Sequence, residues 1–307
     1  MELLYFLEKI RIPGLNEFML LITHLGEETA FLVMALIVFW CVDKRKGYYI
    51  MAVGFIGTIT NQFMKLWFRI PRPWVLDENF TILEEARAEA SGYSFPSGHS
   101  QSAVGTFGGI AACSKERWLK ICGITISVLV PISRMYVGVH TPADVLVGSG
   151  MALALVLLLK PLMLGKKERS LMPLLAVMVA MAVGLLLFVE LYPFPADVDI
   201  HNLQSGLKNA YTLLGSLAGV AVVYVLDRKY IHFTNAGVWW AQVLKAVLGL
   251  VLVLAVKEGM RSPLDVLFAG HLVSRAVRYF LIVLTAGALW PLTFRWFATL
   301  GRKECAK

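Results

Sequence analysis

The segments KLWFRIPRP (65–73), YSFPSGHSQS (93–102) and SRMYVGVHTPAD (133–144) each set charged or hydroxyl-bearing residues against an apolar run. Lys65, Arg72 and Arg134 supply fixed positive charge, the complement of a phosphate carrying roughly −1.5 to −2 at neutral pH. Arginine's planar fork suits bidentate contact with phosphoryl oxygens, and lysine adds a point charge. The turn Pro96-Ser97-Gly98-His99 opens a helix, so free backbone N–H groups and the positive dipole end face one spot. Gly98 lets the backbone approach an anion closely, and Ser97 offers a hydroxyl. Together these donors would stabilise charge on a trigonal-bipyramidal phosphorus without a metal. No Asp and Glu cluster suited to Mg²⁺ accompanies them.

Two histidines complete the set. His140 and Asp144 are four apart, neighbours across the first turn of a helix that begins at Thr141-Pro142. A carboxylate on one imidazole nitrogen fixes the tautomer and leaves the other nitrogen free to attack. His99, on another helix, would protonate the departing alkoxide and later activate water. The chemistry is phosphoryl transfer through a phosphohistidine, with hydrolysis as the second step. Taken singly, each residue has a plainer reading: Asp144 as a helix-cap acid, the cations as snorkelling side chains, each histidine as merely solvated. Those readings supply no reason for all of them to converge on one side of the molecule.

The elements that must position these residues are membrane helices. Of 307 residues 58% are hydrophobic and 16% charged, where a soluble domain is nearer half apolar and a quarter charged. The apolar residues gather into runs of about 20, enough to cross a hydrocarbon core of roughly 30 Å. The expectation is an all-α, polytopic helical bundle of about nine spans, near 18–41, 47–68, 97–113, 118–138, 142–164, 171–190, 207–227, 237–257 and 277–298. The first 18 residues, charged and amphipathic, read as an interfacial segment and not a removable signal peptide. Alternate connections, DKRKG, SKERWLK, GKKERS and DRKY, and the terminal GRKECAK are short and basic. They belong on the cytoplasmic side, which accounts for the net charge of +8 without nucleic acid. All three motif segments then face the extracytoplasmic surface of the plasma membrane. Cys41, Cys113, Cys122 and Cys305 fall on the reducing side and read as free thiols.

Lys65, six residues, Arg72-Pro73; then Pro96-Ser97-Gly98-His99; then Ser133-Arg134, five residues, His140, three residues, Asp144: this pattern resembles the signature of the type 2 phosphatidic-acid phosphatase superfamily. The likeness covers roughly residues 20–165, with no departure from the signature. It implies a helical-bundle core and metal-independent dephosphorylation without a cofactor. By the same likeness His140 is the nucleophile, Asp144 its orienter and His99 the general acid, while Lys65, Arg72, Ser97, Gly98 and Arg134 hold the phosphate. Membrane relatives act on lipid phosphates and diphosphates, so the expected partner is such a lipid, with oligomeric state open. The expected division is a phosphatase core with its interfacial segment over 1–165 and further transmembrane helices over 166–307.

Alternatives remain open at this stage. A lipid phosphotransferase would pass the phosphoryl group to another lipid or sugar hydroxyl, and a non-catalytic transporter or scaffold would keep only the bundle. The acidic stretch TILEEARAEA (81–90) is either a solvated face or a short helix flanking the pocket. Arg69 is an extra charge for a headgroup or a second phosphate. Lys245, within an apolar run, is either a functional intramembrane charge or a snorkelling or packing residue. TPADVLVGSG (141–150) is echoed by SPLDVLFAGH (262–271), more simply a helix start used twice than a duplication.

Overall fold

The computed structural model describes residues 1–300 apart from 89, 91, 168 and 197, so Cys305, the basic tail from 301 and Glu89 lie outside the described residues. Among the described residues every regular element is helical. In chain order these are α1 (Glu2–Lys9), α2 (Pro13–His24), α3 (Glu28–Ile37), α4 (Lys44–Phe68), α5 (Pro73–Leu76), α6 (Gly98–Ala103), α7 (Gly109–Cys113) and α8 (Arg117–Tyr136). There follow α9 (Pro142–Leu164), α10 (Met172–Leu191), α11 (Ile200–Leu226), α12 (Trp239–Gly259), α13 (Arg261–Leu267), α14 (Val273–Leu284) and α15 (Phe294–Thr299). A π turn, Val38–Val42, prolongs α3, and another, Val104–Gly108, joins α6 to α7.

The expected count of about nine spans is not confirmed. Among the described residues six helices are long and apolar enough to cross a membrane, or up to seven if α2 and the α3 segment, bent by 55°, form one span. Function explains the shortfall. The helix α4 has the length, at 25 residues, but carries Thr58, Asn61, Gln62 and Lys65 on the wall of a cavity. The 97–113 segment is broken by its π turn and holds Ser97, His99, Gln101, Ser102 and Thr106. Residues that serve a polar cavity cannot also make the strongest apolar signal.

The helices form two compact units, one of Met1–Met34, Tyr49–Arg169 and Gly184–Asn209, the other of Ala35–Tyr48, Ser170–Val183 and the chain from Ala210 onward. In the first, α1 and α2 pack over the 74–90 connection. Buried Ala86, Tyr136, Val137 and Val139 gather Leu7, Leu15, Met19 and Leu20 around them. Arg11 fastens this contact by donating to Tyr136 O (3.0 Å) and Thr81 O (2.9 Å), and Tyr5 donates its hydroxyl to Asp77 (2.7 Å). The acidic stretch forms one 3₁₀ turn, Glu84–Ala86, with Ala86 inward and Glu84 paired with Arg87 in solvent.

Helix α6 packs on α8 and α9. Its contact with α9 requires a glycine: a Cβ at Gly148 would stand 2.5 Å from Ser97 O. Gly148→Ala must push Ser97 and its helix start away, and a shift of this kind costs catalysis about 10- to 100-fold. Turnover measured beside thermal unfolding checks this, because the variant should lose far more activity than stability.

Within the second unit, Lys44 donates to Asp227 (2.7 Å) and to Phe233 O (3.1 Å), while Trp40 donates its indole N–H to Ala286 O (2.8 Å). Lys245 does not snorkel. It is fully buried, with its ammonium 4.4 Å from the Phe294 ring centre, a cation–π contact. Pro263 and Asp265 lie inside α13, whose N-cap is Met260, so the echo of 141–150 does not extend to a capping box.

Candidate active site

The start of α9 sets the first two groups. Thr141 is its N-cap, Pro142 opens it, and Asp144 closes a capping box: Asp144 N–H donates to Thr141 Oγ1 (3.3 Å) and Thr141 N–H to Asp144 Oδ2 (2.7 Å). The same carboxylate oxygen lies 3.4 Å from His140 Nδ1. The helix cap and the carboxylate beside the imidazole are thus one residue. Gly138, with φ +89°, makes the turn that carries the chain from α8 to His140.

A third contact on Asp144 is invisible in the sequence. Ser94 donates its hydroxyl to Asp144 Oδ2 (2.6 Å), and its Oγ lies 3.4 Å from His140 Nδ1. Fifty positions separate Ser94 from Asp144, so spacing could not reveal the pair. Ser94→Ala removes one of the two groups at Nδ1 and is expected to lower kcat about tenfold with KM little changed. Steady-state kinetics on the purified variant checks this.

Arg72, buried at the N-cap of α5, donates to Gly92 O (3.1 Å), Val139 O (3.0 Å) and His140 Nε2 (3.0 Å). A guanidinium only donates, so Nε2 is the acceptor and the imidazole proton sits on Nδ1, toward Ser94 and Asp144. The Nε2 lone pair of His140 therefore points at the cations and is held by Arg72. Burial, then the charges of Arg72, Arg134 and Lys65, hold the His140 imidazole well below the ordinary histidine range, so it is neutral near pH 7. Lys65, in the last turn of α4, donates to the Tyr93 carbonyl.

A cavity of ≈ 350 Å³ brings together Lys65, Arg72, Gly98, His99 and His140. Ser97, Arg134 and Asp144 are not on its wall but are buried. Ser97 caps α6, its hydroxyl accepting from Ser100 N–H (3.4 Å) and Ser100 O–H (2.9 Å). Arg134 donates to Thr23 Oγ1 (3.4 Å). Arg69 borders a separate cavity of ≈ 590 Å³, with Phe68, Arg72 and Trp74. Asn61 also went unmarked in the sequence: one turn before Lys65, it donates to Pro96 O (3.3 Å) and tethers the motif loop to α4. Its signal was the i, i+4 spacing to Lys65.

Comparison with known proteins places the chain in a family. The family model described as PAP2 superfamily matches residues 45–168, and the one described as PAP2 superfamily phosphatase, transmembrane extension, matches 211–303. Phosphatidylglycerophosphatase B of Bacillus subtilis is 34% identical over 164 residues, covering 49% of this chain and 76% of its own. An undecaprenyl-diphosphatase of Sulfolobus acidocaldarius is 30% identical over 148 residues, covering 48% of this chain and 70% of its own. No solved structure matches the chain significantly. With relatives at this identity covered over more than two thirds of their length, and with a core match followed by a transmembrane one, the chain belongs to the PAP2 superfamily and is a multi-pass membrane protein.

Proposed function

We propose that the protein is an integral membrane phosphatase that hydrolyses a lipid phosphate or diphosphate through a phosphohistidine. The observation that carries this is His140, neutral, with Nδ1 toward Asp144 and Ser94 and Nε2 toward Arg72. Arriving phosphoryl oxygens take over the Arg72 hydrogen bond and join Lys65 and the Gly98 N–H, backed from behind the wall by the charge of Arg134 and the helix cap Ser97, which exposes the Nε2 lone pair. Nε2 attacks phosphorus, the bond from phosphorus to the departing oxygen breaks (the lipid oxygen of a monophosphate, the bridging oxygen of a diphosphate), and His99 gives that oxygen its proton. His99 then takes a proton from water, the hydroxide attacks, and the P–N bond breaks to release inorganic phosphate. Preorganised donors of this kind contribute on the order of 10²–10³ each. The family membership and the names of both relatives support a lipid phosphate or diphosphate as substrate.

The proposed site faces the extracytoplasmic side of the plasma membrane. Supporting this, α4 begins at Lys44-Arg45-Lys46 and ends at Lys65, α8 begins at Arg117 and ends at the turn before His140, and α9 begins at the site and ends before Lys166-Lys167. In each, the basic end is the end away from the site. Phe63, Trp67, Phe188, Tyr192 and Phe194 form an aromatic cluster near the site end of α4, as expected at a membrane interface.

The test is phosphate release in EDTA by detergent-purified protein from phosphatidic acid, phosphatidylglycerol phosphate and undecaprenyl diphosphate. Release that persists in EDTA and vanishes in His140→Ala supports the reading. Substrate consumption that needs an added acceptor lipid and yields the phosphorylated acceptor in place of free phosphate points to a phosphotransferase, and no turnover under any condition defeats both.

A further inference from the structure

The active-site cavity has a second wall that the phosphate-holding groups do not explain. It carries Gln62 from α4, Gln101 and Ser102 from α6, and Ser205 and Asn209 from α11. Ser205 and Asn209 are four apart and share a helix face. Gly206 between them lets α11 close on α4, where a Cβ would stand 2.7 Å from the Leu66 side chain. These α11 residues lie outside both stretches matched by the family models.

Gln101 is 2% exposed, and among the described residues neither its Nε2 nor Ser102 Oγ has a hydrogen-bond partner. Both atoms are closed off from the cavity, Gln101 Nε2 lying against Gly57 of α4, so what this wall offers a ligand is the uncharged polar surface of its lining side chains. Carboxamides and hydroxyls both donate and accept without net charge, which matches alcohol groups. The same cavity is lined by Glu27 and Glu28. Carboxylates beside the phosphate-holding cations disfavour a second phosphate, whose charge would be set against them.

Resting on the phosphatase reading above, we propose that the favoured substrate is a lipid phosphomonoester whose phosphorylated headgroup carries free hydroxyls. Gln62, Gln101, Ser102, Ser205 and Asn209 are the subsite that reads them. A site built to bond a substrate hydroxyl discriminates strongly against an analogue lacking it, because its own buried groups are then left unpaired.

The experiment compares kcat/KM for phosphatidylglycerol phosphate, phosphatidic acid and undecaprenyl diphosphate in one detergent. The hydroxyl-bearing monoester should exceed the other two by at least about tenfold. Asn209→Leu and Gln101→Leu should each lower its ratio to phosphatidic acid by about fivefold, the worth of one hydrogen bond. Gly57→Ala should act likewise without removing the carboxamide, since its Cβ would stand 2.1 Å from Gln101 Nε2. A purely structural role would lower both lipids in parallel and leave the ratio unmoved. Glu28→Gln should raise undecaprenyl diphosphate turnover relative to the monoesters. Equal or faster turnover of phosphatidic acid or undecaprenyl diphosphate overturns the subsite, as does an unmoved ratio in both leucine variants. Absence of His140-dependent release from all three lipids sinks the phosphatase reading itself and takes the subsite with it.

Discussion

His140→Ala should reduce phosphate release on the order of 10⁴-fold or more, because it deletes the proposed nucleophile and no second group is held in its place. Brief incubation with a lipid labelled in its phosphate should mark the native protein with an acid-labile, alkali-stable phosphohistidine and leave this variant unmarked. His99→Ala should label slowly and lose the label slowly, since one imidazole serves both half-reactions. Phosphate release at the native rate by His140→Ala would refute the mechanism. The acidity of His140 adds a pH signature. Burial and three neighbouring cations depress its proton affinity, so protonation silences it only below the ordinary histidine value of 6.5. The acid limb of kcat/KM due to this group should therefore lie below pH 6.5, and not above it.

Arg72→Lys ranks second, at about 10²–10³-fold in kcat/KM. The charge is kept, but a single ammonium cannot hold Gly92 O, Val139 O and His140 Nε2 as the guanidinium does. Loss of the donor to Nε2 also frees the imidazole to change tautomer, so kcat should fall along with substrate affinity. A rise in KM alone would mean that Arg72 only binds phosphate. Thermal unfolding of the same variant separates catalytic loss from misfolding.

Much of the site is legible in the sequence because its parts are locally encoded. Lys65 and Arg72, Ser97 to His99, and Arg134 to Asp144 each lie within about three turns of chain, next to a helix end that fixes their direction. The packing of α4, α6, α8 and α9 then brings the segments together. Ser94, Gln101, Ser205 and Asn209 were not singled out because their partners are chosen by tertiary contact and not by spacing. The fold was legible as a helical membrane bundle for a related reason: long apolar runs announce themselves. The count of spans was not, since hydropathy cannot foresee that 18–41 bends by 55°. Nor does it separate a polar cavity wall in α4 from a weak span. Folding of the N-terminal segment onto the 74–90 connection was equally hidden, because amphipathic helices look alike whether a membrane or a protein surface covers them.

The interrupted stretch from Gly98 to Cys113 bears on how the protein is made. With His99, Gln101, Ser102 and Thr106 along it and a π turn at its middle, this stretch is a poor candidate for lateral release into lipid by itself. It packs on α8 and α9, which leave the ribosome later. Integration of the stretch must then wait for the helices that follow it, as a hairpin or larger group. Biogenesis and assembly of the catalytic cradle become a single event, and a chain halted before α9 emerges would present an uninserted segment to membrane quality control.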